Sequence, residues 1–389
     1  MPRKTKKNAQ GAGTIRKRSD GRWEARFTTG FDPLTGKQIQ KSIYGKTQKE
    51  VRERLTQITS EIDDGTYIAP TEETVGEWLD TWLKVYALHS VKPYTYDNYE
   101  RNCNLHLKPA LGKIRISALS APQIQQLYNQ LVIDKGLSPK TVKNIHGVLH
   151  RALQQAYKLG KLRNNPTEIC DLPRSHRKEI NPMEQKEIIA FLHAVKGHRY
   201  EMIYLVTLFT GLRQGEVLGL TWDCIDFDHG TIYVNKQLQK TKKVGGDYVL
   251  VPTKNSRSRV VTVAPTVMEL LKRQQGTQRE WEALAGSEWE NKWNLVFTNQ
   301  FGGHLIHLTV YKEFKRIVTE IGLPQERFHD LRHAYAVAAI ESGDDIKTVQ
   351  ANLGHATASF TLDVYGHVSQ KMRQQSAERM ERFIKAVSE

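Results

Sequence analysis

The spacing of apolar residues changes period along this 389-residue chain, and that change constrains the fold more than any other feature. Between Thr14 and Tyr44 apolar residues alternate with polar ones. Thr14 to Arg18, Trp23 to Phe27 and Gln38 to Tyr44 read as three short strands, turning at Ser19-Asp20-Gly21 and at Asp32-Pro33-Leu34-Thr35-Gly36. One face would carry Ile15, Trp23, Ala25, Phe27, Ile39 and Ile43, and the other Arg16, Arg18, Arg26 and Lys41. From Thr47 to Ile62 the period becomes helical, and Val51, Leu55, Ile58 and Ile62 form a stripe that can cover the apolar face. Gly45-Lys46-Thr47 imitates the end of a phosphate-binding loop, but Gln40 stands where that motif needs its first glycine, so it reads as a strand-to-helix turn.

Residues 63–70 read as a linker, and beyond them the helical period persists for about a hundred residues. Val75, Trp78, Leu79, Trp82, Leu83 and Tyr86 mark an amphipathic helix. Others follow at about 93–107, 121–134 and 139–159, the last with Pro139 in its first turn and a stripe from Val142 to Ala156. Asn164-Asn165-Pro166 and Leu172 to His176 close this stretch. From 181 on, long helices mix with a short β section: a strand at Thr231–Val234 and an expected hairpin of Tyr248–Val251 with Arg259–Val263, joined by the polar turn 252–258. Residues 369–389 carry Met372, Ala377, Met380, Phe383, Ile384 and Val387, a stripe suited to packing on the chain's own core or on a neighbouring subunit. The expected fold is multidomain α+β: a small sheet plus helix over 1–65, an all-α domain over 71–175, and a mainly α domain with a small β-sheet over 181–389.

Charge narrows the function class. The chain has 57 Lys and Arg against 42 Asp and Glu, a net of +15, and residues 1–60 alone hold 15 against 5. Two thirds of the surplus thus sits in under a sixth of the chain, which points to a polyanion partner; a solvated basic tail is the plainer alternative. The arginine face of the sheet has the width of a DNA major groove. In the helical stretch Lys92, Lys140, Lys143, Arg151, Lys158, Lys161 and Arg163 are candidates for backbone phosphate contacts. No window approaches the roughly 18 apolar residues of a membrane span, and the basic start lacks an apolar region behind it, so a soluble, cytoplasmic protein is expected. Cys103, Cys170 and Cys224 have neither the number nor the spacing of a disulfide framework or zinc site.

Four segments of the last region concentrate groups suited to phosphodiester chemistry: Thr210-Gly-Leu-Arg213-Gln-Gly-Glu216, Thr253-Lys254 through Arg259, His329-Asp-Leu-Arg332-His333, and Leu353-Gly-His355 with Tyr365 ten residues later. Singly each has an ordinary reading. Arg213 and Glu216 could be a helix surface pair. His329 and His333 could be a metal pair, but no third ligand has diagnostic spacing, so no metal or other cofactor is expected. Together, in this order, they resemble the tyrosine recombinases, or phage integrase family, over the whole chain. The basic N-terminal unit resembles an arm-binding domain and 71–175 a core-binding domain, as in integrases of temperate phages and conjugative transposons.

The resemblance implies a site-specific recombinase that integrates and excises a mobile element. Arg213, Lys254, His329, Arg332, His355 and Tyr365 fall on the family's catalytic positions with the expected residue types, Glu216 supports Arg213, and Ala334 and Tyr335 depart from the usual Thr and Phe only at packing positions. Tyr365 would be the nucleophile, leaving an O-(3′-phospho-DNA)-tyrosine. The implied partners are double-stranded DNA at core-type and arm-type sites, a homotetramer on synapsed DNA, and an excisionase or host DNA-bending protein. The alternatives are a non-catalytic DNA-binding regulator, for which Tyr365 would have no use, and a type IB topoisomerase-like strand transferase.

Overall fold

The computed structural model describes residues 13–31, 35–64, 67, 71–174, 182–241, 247–253, 258–354 and 369–388, with the side chains of the last stretch described only at 377, 378 and 380–388. The chain divides into two compact units, Met1–Ser175 and His176–Glu389.

The first unit opens with strands β1 (Thr14–Lys17), β2 (Trp23–Phe31) and β3 (Gln38–Gly45) in an antiparallel sheet of order β1-β2-β3. Helix α1 (Gln48–Asp63) lies on its apolar face, where Ala25, Phe27, Val51 and Leu55 are buried and Ile15, Trp23 and Ile43 pack around them. Gly45-Lys46-Thr47 is the expected strand-to-helix turn: Thr47 caps α1, its hydroxyl accepting from the Glu50 amide at 3.2 Å. Two expectations about the faces fail. Lys41 pairs directly with Phe27, so it lies on the helix-covered side and not among the arginines, because side chains opposite each other in an antiparallel pair share a face. Ile39 lies beyond an irregularity in register between Thr28 and Gly30 and stays 44% exposed, outside the core.

Helices α2 (Val75–Thr81), α3 (Pro93–Asn102), α4 (Lys108–Leu111), α5 (Ala121–Ile133) and α6 (Pro139–Lys158) follow. The two expected helices near 75 and 93 each run on through a π-helical turn, at Trp82–Ala87 and Cys103–Leu107. Their core joins Trp78, Leu79 and Leu83 to Val142, Ile145, Leu149 and Leu153, and Trp78 Nε1 donates to Ala152 O at 2.9 Å. Burying the large indole with its donor satisfied is what a stable aromatic anchor requires.

In the second unit, α7 (Gln185–Val195), α8 (Glu201–Thr210) and α9 (Gln214–Leu218) precede strands β4 (Ile225–Asp226), β5 (Thr231–Val234), β6 (Lys236–Lys240), β7 (Tyr248–Pro252) and β8 (Arg259–Thr262). Helices α10 (Pro265–Ala285), α11 (His307–Glu320), α12 (Asp330–Ser342), α13 (Ile346–Leu353) and α14 (Ser369–Ser388) follow. Helix α8 is apolar nearly all round and is the buried centre, with Ile203, Tyr204, Val206 and Leu208 in the core and α10 and α12 packed on it. The expected hairpin of β7 with β8 does not form. Strand β7 pairs with β6, and β8 pairs with β5 in a sheet of order β4-β5-β8. Strand β6, Lys-Gln-Leu-Gln-Lys, has one apolar residue in five and so gave no alternating signal. On α14, Met380, Phe383, Ile384 and Val387 are 48 to 65% exposed, so this stripe does not pack on the chain's own core.

Candidate active site

The turn from α8 to α9 is built by four successive residues, each for its own reason. Thr210 is buried and returns its hydroxyl to Val206 O at 2.6 Å. Gly211 takes φ +66°, and a Cβ there would lie 2.5 Å from Tyr335 Cδ1 and 2.7 Å from Leu353 Cδ2, so both backbone and space demand glycine. Leu212 anchors the turn in the core. Arg213 then opens α9, its amide donating to Glu216 Oε2 at 3.0 Å and its Nη1 to Oε1 at 2.7 Å.

Glu216 is 1% exposed and faces a second cation. Arg259, first residue of β8, donates from Nη1 to Oε1 at 3.1 Å and from Nη2 to Oε2 at 2.7 Å. Burial alone would raise the Glu216 carboxyl, but the Arg259 hydrogen bonds and the charges of Arg259 and Arg213 outweigh it and leave the group at about 2. The carboxylate is therefore ionised, with each oxygen accepting twice.

Arg332, also 1% exposed, comes from the first turn of α12. Its Nη1 donates to Gly211 O at 2.6 Å and its Nη2 to Leu353 O. The flanking carbonyls are held in the same way: Asn352 O accepts from Arg259 Nε at 2.6 Å and Gly354 O from Arg213 Nη2 at 3.3 Å. Three consecutive carbonyls at the end of α13 thus meet three different arginines, the end of a helix where cations are favoured. Gly354, at φ +64°, terminates the helix immediately before His355.

His329 precedes α12, exposed to solvent, its ring 4.9 Å from that of His333 and nearly perpendicular to it. Crowding by protein, then His333 and the charges of Arg332 and Arg213, disfavour its imidazolium against the opposing pull of Asp330. A neutral imidazole able to accept a proton is the result. His333, 4% exposed, is held at about 4, mainly by burial. Asp330 fixes the start of α12 by accepting from the Arg327 amide at 2.7 Å and from its guanidinium at 3.0 and 2.7 Å.

The structure therefore brings together Arg213, Glu216, His329 and Arg332, while Lys254, His355 and Tyr365 lie outside the described residues. Arg259 closes the Thr253–Arg259 motif, and the sequence signal for its part in the site is a charge opening a largely apolar strand. Among the described residues no three His, Cys, Asp or Glu side chains form a group that could hold a metal, and no helix is long and apolar enough to cross a membrane.

In the first unit the arginine face has a centre that sequence reading missed. Glu24, 1% exposed, accepts from Arg16 Nε at 2.8 Å, Arg26 Nε at 3.0 Å and Ser42 Oγ at 2.9 Å, with Arg18 Nη1 4.0 Å away. The two arginine hydrogen bonds hold its carboxyl at about 2. Its alternation in phase with Arg16 and Arg26 was the available signal. Among the helices, Lys92, Lys140 and Lys143 are exposed, and Lys143 lines a groove of about 580 Å³ between α3 and α6 with Tyr94, Asn98, Arg101, Asn144 and Arg151. Lys161 and Arg163 are instead engaged by Glu73 and Glu61, so the protein's own carboxylates hold two of the seven phosphate candidates.

Residues 178–372 match the phage integrase family profile, and residues 74–132 match the phage integrase N-terminal SAM-like domain. A "Tyrosine recombinase XerC-like" protein of Caldanaerobacter subterraneus subsp. tengcongensis is 33% identical over 362 residues, 89% of this chain and 92% of its own. The ICEBs1 integrase of Bacillus subtilis is 26% identical over 376 residues, 95% of this chain and all of its own. The fold is that of the Tn1549 transposon integrase solved with a circular intermediate DNA (TM-score 0.67, 22% identity, 79% of this chain and 99% of that one). It is also that of lambda integrase solved as a tetramer on a Holliday junction (TM-score 0.55, 20% identity, 92% and 97%). The profile and the nearly full-length relatives together show that the chain belongs to the phage integrase family, as a tyrosine-type site-specific recombinase.

Proposed function

We propose that this recombinase integrates and excises a mobile genetic element by cutting and rejoining duplex DNA through a 3′-phosphotyrosyl intermediate. Residues 1–65 act as an arm-site reader, 71–175 as a core-site clamp that includes Lys92, Lys140 and Lys143, and 181–389 as the catalytic domain. The observation that carries the reading is the convergence of Arg213 and Arg332 on adjacent carbonyls at the end of α13, from positions 141 and 21 residues away in sequence.

A phosphodiester is anionic and resists attack, so the site must neutralise charge growing on its non-bridging oxygens. Arg213 and Arg332 present planar, permanently charged forks for this. The Tyr365 oxygen attacks phosphorus as the bond to the 5′-oxygen breaks. A phenol of ordinary pKa about 10 must lose its proton in the process, and neutral His329 accepts it. Lys254 supplies a proton to the leaving 5′-oxygen, and His355 bonds the phosphate or assists transfer. The phosphotyrosine conserves the bond energy, so a 5′-hydroxyl from another duplex reverses the step without an added energy source.

Two duplexes need four such exchanges, which favours a homotetramer on paired sites, with the exposed stripe of α14 as a contact between subunits. An excisionase or host DNA-bending protein would set direction, and the cell compartment would be the bacterial cytoplasm, at the nucleoid when DNA is bound. The test is a nicked suicide duplex carrying the element's core site. Wild type is expected to form a covalent adduct that survives denaturation and Tyr365→Phe is not. An adduct in the mutant removes Tyr365 as nucleophile, and none in wild type favours a non-catalytic regulator.

A further inference from the structure

We propose that Arg259 is a positioning residue for strand transfer: it fixes the Glu216 carboxylate against which Arg213 is held and keeps the site electropositive. This rests on the reading that Arg213 holds the scissile phosphate.

Arg259 is poorly placed to touch DNA itself. Its side chain is 9% exposed, against 25% for Arg213, and three of its N–H groups are taken up by Glu216 and Asn352. What it does instead follows from charge. Arg213 paired with Glu216 alone would be a neutral couple, offering little to an anionic phosphate. One carboxylate between two guanidinium groups leaves a surplus positive charge, and it falls to the more exposed of the two, Arg213.

Geometry adds a second effect. With both Glu216 oxygens gripped by the Arg259 fork, the carboxylate has one orientation to offer Arg213, and a guanidinium aimed before substrate arrives needs less reorganisation in the transition state. The same side chain reaches Asn352 O, three residues before His355, from a position five residues after Lys254. Gly354 lies close against it, a Cβ there falling 3.1 Å from Arg259 Cδ. Lysine would keep the charge but lose the fork.

The test compares full-length wild type, Arg259→Gln and Arg259→Lys for duplex binding by gel shift and for single-turnover cleavage of the nicked duplex, each also in a Glu216→Gln background. Thermal melts check that every variant is folded. Arg259→Gln should bind within about threefold of wild type yet cleave at least about thirtyfold more slowly, with Arg259→Lys between them. Once Glu216 is Gln, adding Arg259→Gln should cost less than about threefold more, because the partner it acts through is gone. Cleavage within about threefold of wild type, a loss of binding matching the loss of cleavage, or an undiminished loss in the Glu216→Gln background would each overturn the proposal. Wild type without an adduct would instead defeat the functional reading beneath it.

Discussion

The protein uses one device twice, with opposite settings. In the N-terminal sheet Glu24, 1% exposed, gathers Arg16, Arg18 and Arg26, whose side chains remain 56, 39 and 46% exposed. In the second unit Glu216, also 1% exposed, gathers Arg213 and Arg259 at 25 and 9%, beside Arg332 at 1%. Exposed guanidinium groups on a buried anchor keep water around them and can adjust to a DNA backbone that varies with sequence. Buried ones have a single arrangement, which suits binding one phosphate in one geometry. Under the proposed function, how deeply the arginines sit, and not their number, would separate a surface that grips DNA from a site that reacts with it.

The comparison breaks most visibly at Arg332. Arg332→Gln should lower single-turnover cleavage by about 10²-fold or more while leaving duplex binding nearly intact. Equal losses of both would mean that Arg332 acts as a general DNA contact, like the exposed arginines.

A matched pair of substitutions tests the anchors. Glu216→Gln removes a buried carboxylate from two guanidinium groups and should destabilise the second unit by about 3–5 kcal/mol in a denaturant melt. Glu24→Gln, whose arginines can turn to water, should move the melt much less. It should nevertheless weaken arm-site binding although it removes a negative charge, because the arginines lose their common anchor. Stronger binding by Glu24→Gln would show that net charge alone governs that face.

The smallest effect concerns pH. His333 and His307 are both held at about 4, mainly by burial, against an ordinary value of 6.5. Below 6.5 the unfolded chain takes up protons that the folded protein refuses. Their stabilising contribution is therefore complete above pH 6.5 and is lost as pH falls toward 4. Melting temperature should decline across that window, and His333→Asn should flatten the decline. A melt independent of pH between 6.5 and 4 would count against the buried, neutral state of both rings.

Much of this was legible in sequence where a repeat of two or of three to four residues carried it. The three N-terminal strands, α1 and helices α5 and α6 lie close to the expected positions because burial of one face imposes that period. Pairing was another matter. Nothing local tells β7 to choose β6 over β8, and a strand with a single apolar residue is silent to any pattern. The alternation that places Ile43 on the helix-covered face places Lys41 there too, two residues away, whereas the register irregularity that takes Ile39 out of the core has no local signal.

In the site, Arg213, His329 and Arg332 were recognisable because their spacing within motifs is fixed by α8, α9 and α12. Glu24 and Arg259 escaped because an isolated charged residue reads as surface, and only the packed structure reveals that each is surrounded by opposite charge. The sequence by itself determined the succession of elements and the chemical types available, since both follow from local period and composition. Which strands pair, which charges are buried and which arginines meet at the end of α13 were decided by tertiary structure. Desolvation and charge pairing depend on neighbours in space, and those neighbours are far apart along the chain.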